Sequence, residues 1–202
     1  MSGNAEDTRV SMADAKVTET EVIRASPKRF VREHVVMPDG YECDWYFVDT
    51  PPSVLVVPVT EAGNLVMVRQ YRHNLKRHVL EFPAGVVDDG EGVEEAALRE
   101  LLEETGYRRT GGCRLRPLGA FYSLPSETNK YTHAFIAEPV ERAGPALGDA
   151  VIERYFDMEV AEMSLDDALA AVGGDICGME AVAAISLARP LVERWNRGPE
   201  GS

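Results

Sequence analysis

Gly85 to Tyr107 reads GVVDDGEGVEEAALRELLEETGY. From Val93 to Thr105 the residues carry helical periodicity, and Gly106 stops the helix. At about 100° per residue, Leu98, Leu101 and Leu102 fall on one side, and Glu100, Glu103 and Glu104 share a narrow arc nearly opposite. Like charges at i, i+3 and i+4 repel in an isolated helix, so the three acids need solvent or a cation between them. A hard divalent ion suits them, because magnesium takes oxygen ligands and commonly binds through a few carboxylates plus substrate phosphates. A lone ELLEE in an acidic protein would be read as an ordinary solvated helix face.

Strand signals surround this helix. Upstream, HVLEFPAGVV runs into a Pro and Gly bend, and SVLVVPVT and LVMVRQYR are joined through Glu61-Ala62-Gly63-Asn64 as a hairpin. Earlier still, VTETEVI, FVREHVVM and YECDWYFVD are separated by PKR and by the turn Pro38-Asp39-Gly40. Downstream, CRLRPLGAFYS and KYTHAFIAEPV bracket the loop LPSETN, and VIERYFDMEVAEM reads as another strand. Ser164 caps a short helix over LDDALAAV, Gly173-Gly174 ends it, and MEAVAAISLARPLVERW has the spacing of a final helix. The expected class is α/β with a mixed sheet and an N-terminal strand region. Residues 1–17 are expected as a mobile tail, 18–196 as the domain and 197–202 as a polar tail.

With 202 residues the chain can form one ordinary domain, which buries roughly 70% of the surface of its unfolded form. A net charge of -13 leaves little positive field for nucleic-acid phosphates, so polynucleotide partners are disfavoured. Cys43, Cys113 and Cys177 lack zinc or CxxC spacing and read as free thiols of a reducing cytosol. No secretory signal and no stretch of transmembrane length is read, so a cytoplasmic protein without a membrane partner is expected. His34, His73, His78 and His133 show no metal-ligand spacing.

Gly85, Glu91, Arg99, Glu100, Leu101, Glu103, Glu104 and Gly106 match the Nudix box, in which Gly, five residues, Glu and seven residues lead into Arg-Glu-aliphatic-x-Glu-Glu-x-Gly-aliphatic. Only Tyr107 departs, being aromatic. The chain therefore resembles the Nudix hydrolases, which implies an α/β/α sandwich whose loop, helix, loop box holds the metal. By that resemblance Glu100 and Glu104 are the leading metal ligands, Glu103 lies close by and counts among the catalytic acids, and Glu91 and Arg99 form an orienting ion pair.

Gln70-Tyr71-Arg72 and Glu81-Phe82-Pro83-Ala84-Gly85 resemble the ADP-ribose pyrophosphatase branch, which carries a QYR strand end and an ExPAG bend. An arginine at a strand end can grip a diphosphate through two hydrogen bonds. The resemblance implies that Arg72 and Glu81 hold substrate and that the Ala84 carbonyl binds metal, with magnesium as cofactor and manganese as the alternative. LPSETN, 124–129, departs from the Ser-Pro-Gly loop ending in an acid that many of these enzymes have.

The implied reaction is hydrolysis of ADP-ribose to AMP and ribose 5-phosphate. ADP-glucose and GDP-mannose are the alternative nucleotide-sugar substrates, and a non-catalytic nucleotide-sensing module is the alternative of another class. The acid that positions the attacking water is expected beyond the box, at Glu153 in preference to Glu127. Related enzymes form a homodimer and stack an aromatic on adenine, which implicates Trp45; packing in a core is the other reading of that residue.

Overall fold

The computed structural model describes residues 11–24, 29–146 and 157–198. They divide into two units, one comprising the N-terminal residues through Thr50 with Leu124–Lys130, the other comprising Pro51–Ser123 and the chain from Tyr131 onward.

In the first unit β1 (Lys16–Arg24), β2 (Arg29–Val36) and β3 (Glu42–Asp49) form an antiparallel sheet in that order. In β2, Val31 and Val35 lie on one face and are buried, with the half-buried Glu33 between them on that face. The Pro38-Asp39-Gly40 turn closes β2 onto β3, with Gly40 at φ 88° and the Tyr41 N–H donating to Asp39 Oδ1 at 3.0 Å. The strand pattern starts two residues before the expected boundary at Thr18, and a short 3-10 turn, Met12–Asp14, precedes it. The LPSETN segment belongs to this unit. The Val48 N–H donates to the Glu127 carbonyl at 2.9 Å, and the Thr50 N–H to Asn129 Oδ1 at 2.9 Å.

The second unit is built on β4 (Ser53–Thr60) and β5 (Leu65–Arg72), followed by β6 (Arg77–Glu81), β7 (Ala84–Val86), α1 (Val93–Thr105), β8 (Tyr107–Tyr122), β9 (Tyr131–Arg142), β10 (Glu159–Met163), α2 (Leu165–Ala171) and α3 (Met179–Arg197). Among the described residues the sheet runs β10-β5-β4-β9-β8, with β6 on β5 and β7 on β4. The β4–β9 pair is parallel and the others antiparallel, so the sheet is mixed.

Every residue of β4 is buried because both faces of the strand are covered. Leu55, Val57 and Val59 pack with Ala181, Ala184, Ile185, Ala188 and Val192 of α3. Val54 and Val56 pack with Ala96, Ala97 and Leu101 of α1 on the other face. One helix on each face makes this unit an α/β/α sandwich.

The helical wheel needs one correction. The buried arc of α1 includes Ala96, Ala97, Glu100, Leu101 and Thr105, whereas Leu98 and Leu102 are only half-buried. Small alanines let the helix approach the sheet closely, so the acidic arc turns toward the bend before β7 instead of toward solvent. Gly106, at φ 69°, ends α1 in the left-handed region, and its N–H donates to the Leu102 carbonyl at 2.8 Å. A side chain there would also meet the Gly144 carbonyl, 2.3 Å from an ideal Cβ.

Candidate active site

The ExPAG bend brings the box together. Ala84 and Gly85 pair in register with Leu55 and Val54, so the bend is fixed to the central strand. Glu104 Oε2 accepts from the Ala84 N–H at 3.0 Å. Glu100, 9% exposed, lies against Gly85 so closely that a Cβ on that glycine would stand 1.9 Å from Oε1. Glycine at this position is therefore a steric requirement of the carboxylate.

Arg99 organises the remaining acids. Its Nε and Nη2 donate to the two oxygens of Glu91 at 2.9 and 3.0 Å, a bidentate pair, and Nη2 also donates to the Val86 carbonyl at 2.9 Å. Nη1 donates to Glu100 at 2.7 Å and to Glu103 at 3.1 Å. The Glu91 hydrogen bond, above all, raises the Arg99 pKa far beyond its ordinary range. The reverse holds for Glu91: Arg99 first, then the Asp88 N–H, lower its pKa.

Among the described residues no three His, Cys, Asp or Glu side chains stand together at metal-holding distance. Glu100 and Glu103 instead share a guanidinium nitrogen, and Glu104 accepts from the bend. The donor chemistry still fits a hard divalent ion. It consists of carboxylate oxygens on one helix arc beside a bare glycine backbone, with a cationic group already lodged between two of them.

The QYR end and the bend meet at a single atom. Glu81 Oε2 accepts from Gln70 Nε2 at 2.8 Å and from Arg72 Nε at 3.0 Å, with a further bond from Arg72 Nη2. Register explains the meeting, since β5 and β6 pair Val68 with Glu81 and Gln70 with Val79. Gln70 is buried, so it fixes the carboxylate, while the exposed Arg72 can turn to a ligand.

The other expected residues fall elsewhere. Trp45 lies on β3 opposite Glu33 and is 46% exposed, so the structure contradicts the alternative of a core tryptophan. Glu127 sits in the first unit with an exposed side chain. Glu153 lies outside the described residues.

Sequence reasoning missed a polar chain on the α3 face of the sheet. Ser123 and Thr132 donate to Glu180 Oε1, the latter at 2.9 Å, and Thr132 shares a 2.8 Å hydrogen bond with Ser53. Ser123, Thr132 and Glu180 line a largely apolar cavity of about 210 Å³ whose lining also includes Leu55, the register neighbour of Ala84. Only tertiary pairing joins residues so far apart in sequence. Tyr107, the departure from the box, is explained here as well: its ring is buried and its hydroxyl donates to Glu162 on β10. Burial first, and then that carboxylate, push its pKa up to about 12.

Residues 49–173 match the NUDIX domain model. The chain belongs to the Nudix family. It is 36% identical over 143 residues to the ADP-ribose pyrophosphatase of Bacillus subtilis (strain 168), covering 68% of this chain and 71% of that protein. The methanol dehydrogenase activator of Bacillus methanolicus is 31% identical over 137 residues, 68% of this chain and 71% of the relative. A crystal structure of an ADP compounds hydrolase superposes with a TM-score of 0.76, covering 93% of this chain and 98% of that one; at 21% identity it speaks to the Nudix fold alone. No helix among the described residues is long and apolar enough to cross a membrane.

Proposed function

We propose that this Nudix protein hydrolyses the diphosphate of a nucleotide sugar, with ADP-ribose as substrate and AMP and ribose 5-phosphate as products. One observation carries the reading: the intact box acids are packed against the ExPAG bend while Arg72 and Glu81 meet beside it. The name of the Bacillus subtilis relative supports the choice of ADP-ribose.

In this reading Glu100, Glu103, Glu104 and the Ala84 carbonyl hold magnesium, or manganese in its place. Such an ion, when bound, neutralises charge on the phosphate oxygens. Arg72 grips the diphosphate as it exchanges its bond to Glu81 for bonds to phosphate, and Gln70 keeps Glu81 oriented toward the ribose. Glu153, with Glu127 as the alternative, orients the water and takes its proton. The water oxygen bonds to one phosphorus, the bridging P–O bond breaks, and the leaving phosphate takes the electron pair.

Residues 18–196 are proposed as the working domain. A homodimer through the three-stranded sheet is supported by Val17, Val22, Ile23 and Phe30, large apolar side chains exposed there, with Trp45 assigned to stacking on adenine. The free Cys43, Cys113 and Cys177 support a reducing, cytoplasmic setting.

The test is turnover of ADP-ribose, ADP-glucose and GDP-mannose with magnesium, with manganese and with chelator. ADP-ribose with magnesium is expected to give the highest kcat/KM, and Glu104→Gln to lose at least about a hundredfold in kcat at an unchanged melting temperature. Absence of turnover on every substrate would leave the regulatory role named for the Bacillus methanolicus relative as the better reading.

A further inference from the structure

At the far end of the sheet from the box lies a second cavity, of about 440 Å³. It is lined by Arg114 and Arg116 of β8, Glu138 of β9, Glu61 after β4, and Leu191, Arg194 and Trp195 of α3. The box is anchored at Leu55 on β4, whereas Glu61 follows the opposite end of that strand. Along α3, Leu191 lies roughly 16 Å from Glu180, at about 1.5 Å per residue. This cavity is therefore distinct from the one beside the ExPAG bend.

Its chemistry is unusual for a chain of net charge -13. Arg114 and Arg194 form no ion pair among the described residues although Glu61 shares the wall. Arg116 is paired with Glu138, which is 3% exposed, yet Arg116 Nε and Glu138 Oε2 have no hydrogen-bond partner. A buried pair left partly unsatisfied is costly unless something else completes it. Trp195 adds a flat apolar face, oriented by donation from its Nε1 to the Glu61 carbonyl at 3.4 Å.

We infer that this cavity is a second, non-catalytic binding site for a nucleoside monophosphate. The phosphate lies on the Arg114 and Arg194 guanidinia, the base packs on Trp195, and the orphaned atoms of the Arg116–Glu138 pair face the donor and acceptor edge of the base. The volume falls in the ordinary range for small-ligand sites. The inference does not depend on what the box hydrolyses.

AMP is the probe, titrated into the full chain in the presence of chelator. The chain has two tryptophans, so Trp45→Phe leaves Trp195 as the sole reporter. A saturable change in Trp195 emission is expected. Arg114→Gln with Arg194→Gln should weaken it by about tenfold or more per arginine, as expected for losing charge-assisted hydrogen bonds. Arg72→Ala, in the other site, should leave it unchanged. Inorganic phosphate should bind at least tenfold more weakly than AMP; equal affinity would overturn the nucleoside assignment. The site itself is overturned if AMP causes no saturable change at millimolar concentration, or if binding survives in the double glutamine variant and disappears in Arg72→Ala. Should the glutamine pair melt early, the Arg114→Lys, Arg194→Lys pair retains the charge and decides by the same readout.

Discussion

Gly85→Ala tests the packing on which the candidate metal site rests. The new methyl would stand 1.9 Å from Glu100 Oε1, 2.1 Å from Cδ and 2.5 Å from Oε2. Those atoms are the tip of a side chain, so the carboxylate swings away while α1 stays in place. The displacement breaks the 2.7 Å bond from Arg99 Nη1 to Glu100, whereas the bidentate Arg99–Glu91 pair survives. A hydrogen bond between charged groups is worth about 1.5–3 kcal/mol. In a chain of this size each kcal/mol moves the melting temperature by about 2–4 °C, so a fall of about 3–12 °C is expected. Activity should fall further, because a catalytic group misplaced by about 1 Å can cost about a hundredfold. Scanning calorimetry and initial rates across a magnesium titration measure the two effects. Adding Glu100→Asp, whose shorter side chain clears the methyl, should recover part of the melting temperature, a non-additivity expected of residues in contact. A Gly85→Ala enzyme with its melting temperature within a degree or so and its kcat within about twofold of the parent would refute the placement of Glu100.

Full kinetics of Glu153→Gln and Glu127→Gln should show a large loss of kcat, with little change in KM, in the first only; a loss confined to Glu127→Gln transfers the role to that residue. Trp45→Ala, at an exposed strand position, should keep the melting temperature nearly unchanged and raise KM for ADP-ribose, and early unfolding would contradict its exposure. The His34 ring binds Asp44 Oδ1 at 3.0 Å and Glu42 Oε2 at 3.3 Å, with the Asp44 bond the main cause of its raised pKa; the same bond lowers the pKa of Asp44. The His34 contribution to the N-terminal sheet is thus full below about pH 6.5 and lost as pH rises through its folded value, while that of Asp44 is full above about pH 4 and lost as pH falls through its own. An NMR titration that puts the His34 ring at or below about 6.5 would contradict this.

The chemical inventory was legible from residues alone. A spaced signature depends on residue types along one segment, so Gly85, Glu91, Arg99 and the three box acids could be read without coordinates, as could the hairpin of two valine-rich strands and the Gly106 stop. The Glu91–Arg99 pair, by contrast, was implied only by the resemblance to the box: Glu91 precedes the first turn of α1, so helical spacing alone does not pair it with Arg99. What needed tertiary structure was everything set by a neighbour outside the segment. Periodicity fixes which residues share a helix face but not which way that face turns, and the approach of α1 to Ala84 and Gly85 turned the acidic arc inward. The same limit hid the reason for an aromatic at position 107, whose partner Glu162 comes from a distant strand, and the convergence of Gln70 and Arg72 on one oxygen of Glu81, which strand register determines. The cavity of Arg114, Arg116, Arg194 and Trp195 left no local trace, because residues of a strand and a helix about two-fifths of the chain apart supply its walls, and sequence patterns report only the contacts a segment makes with itself.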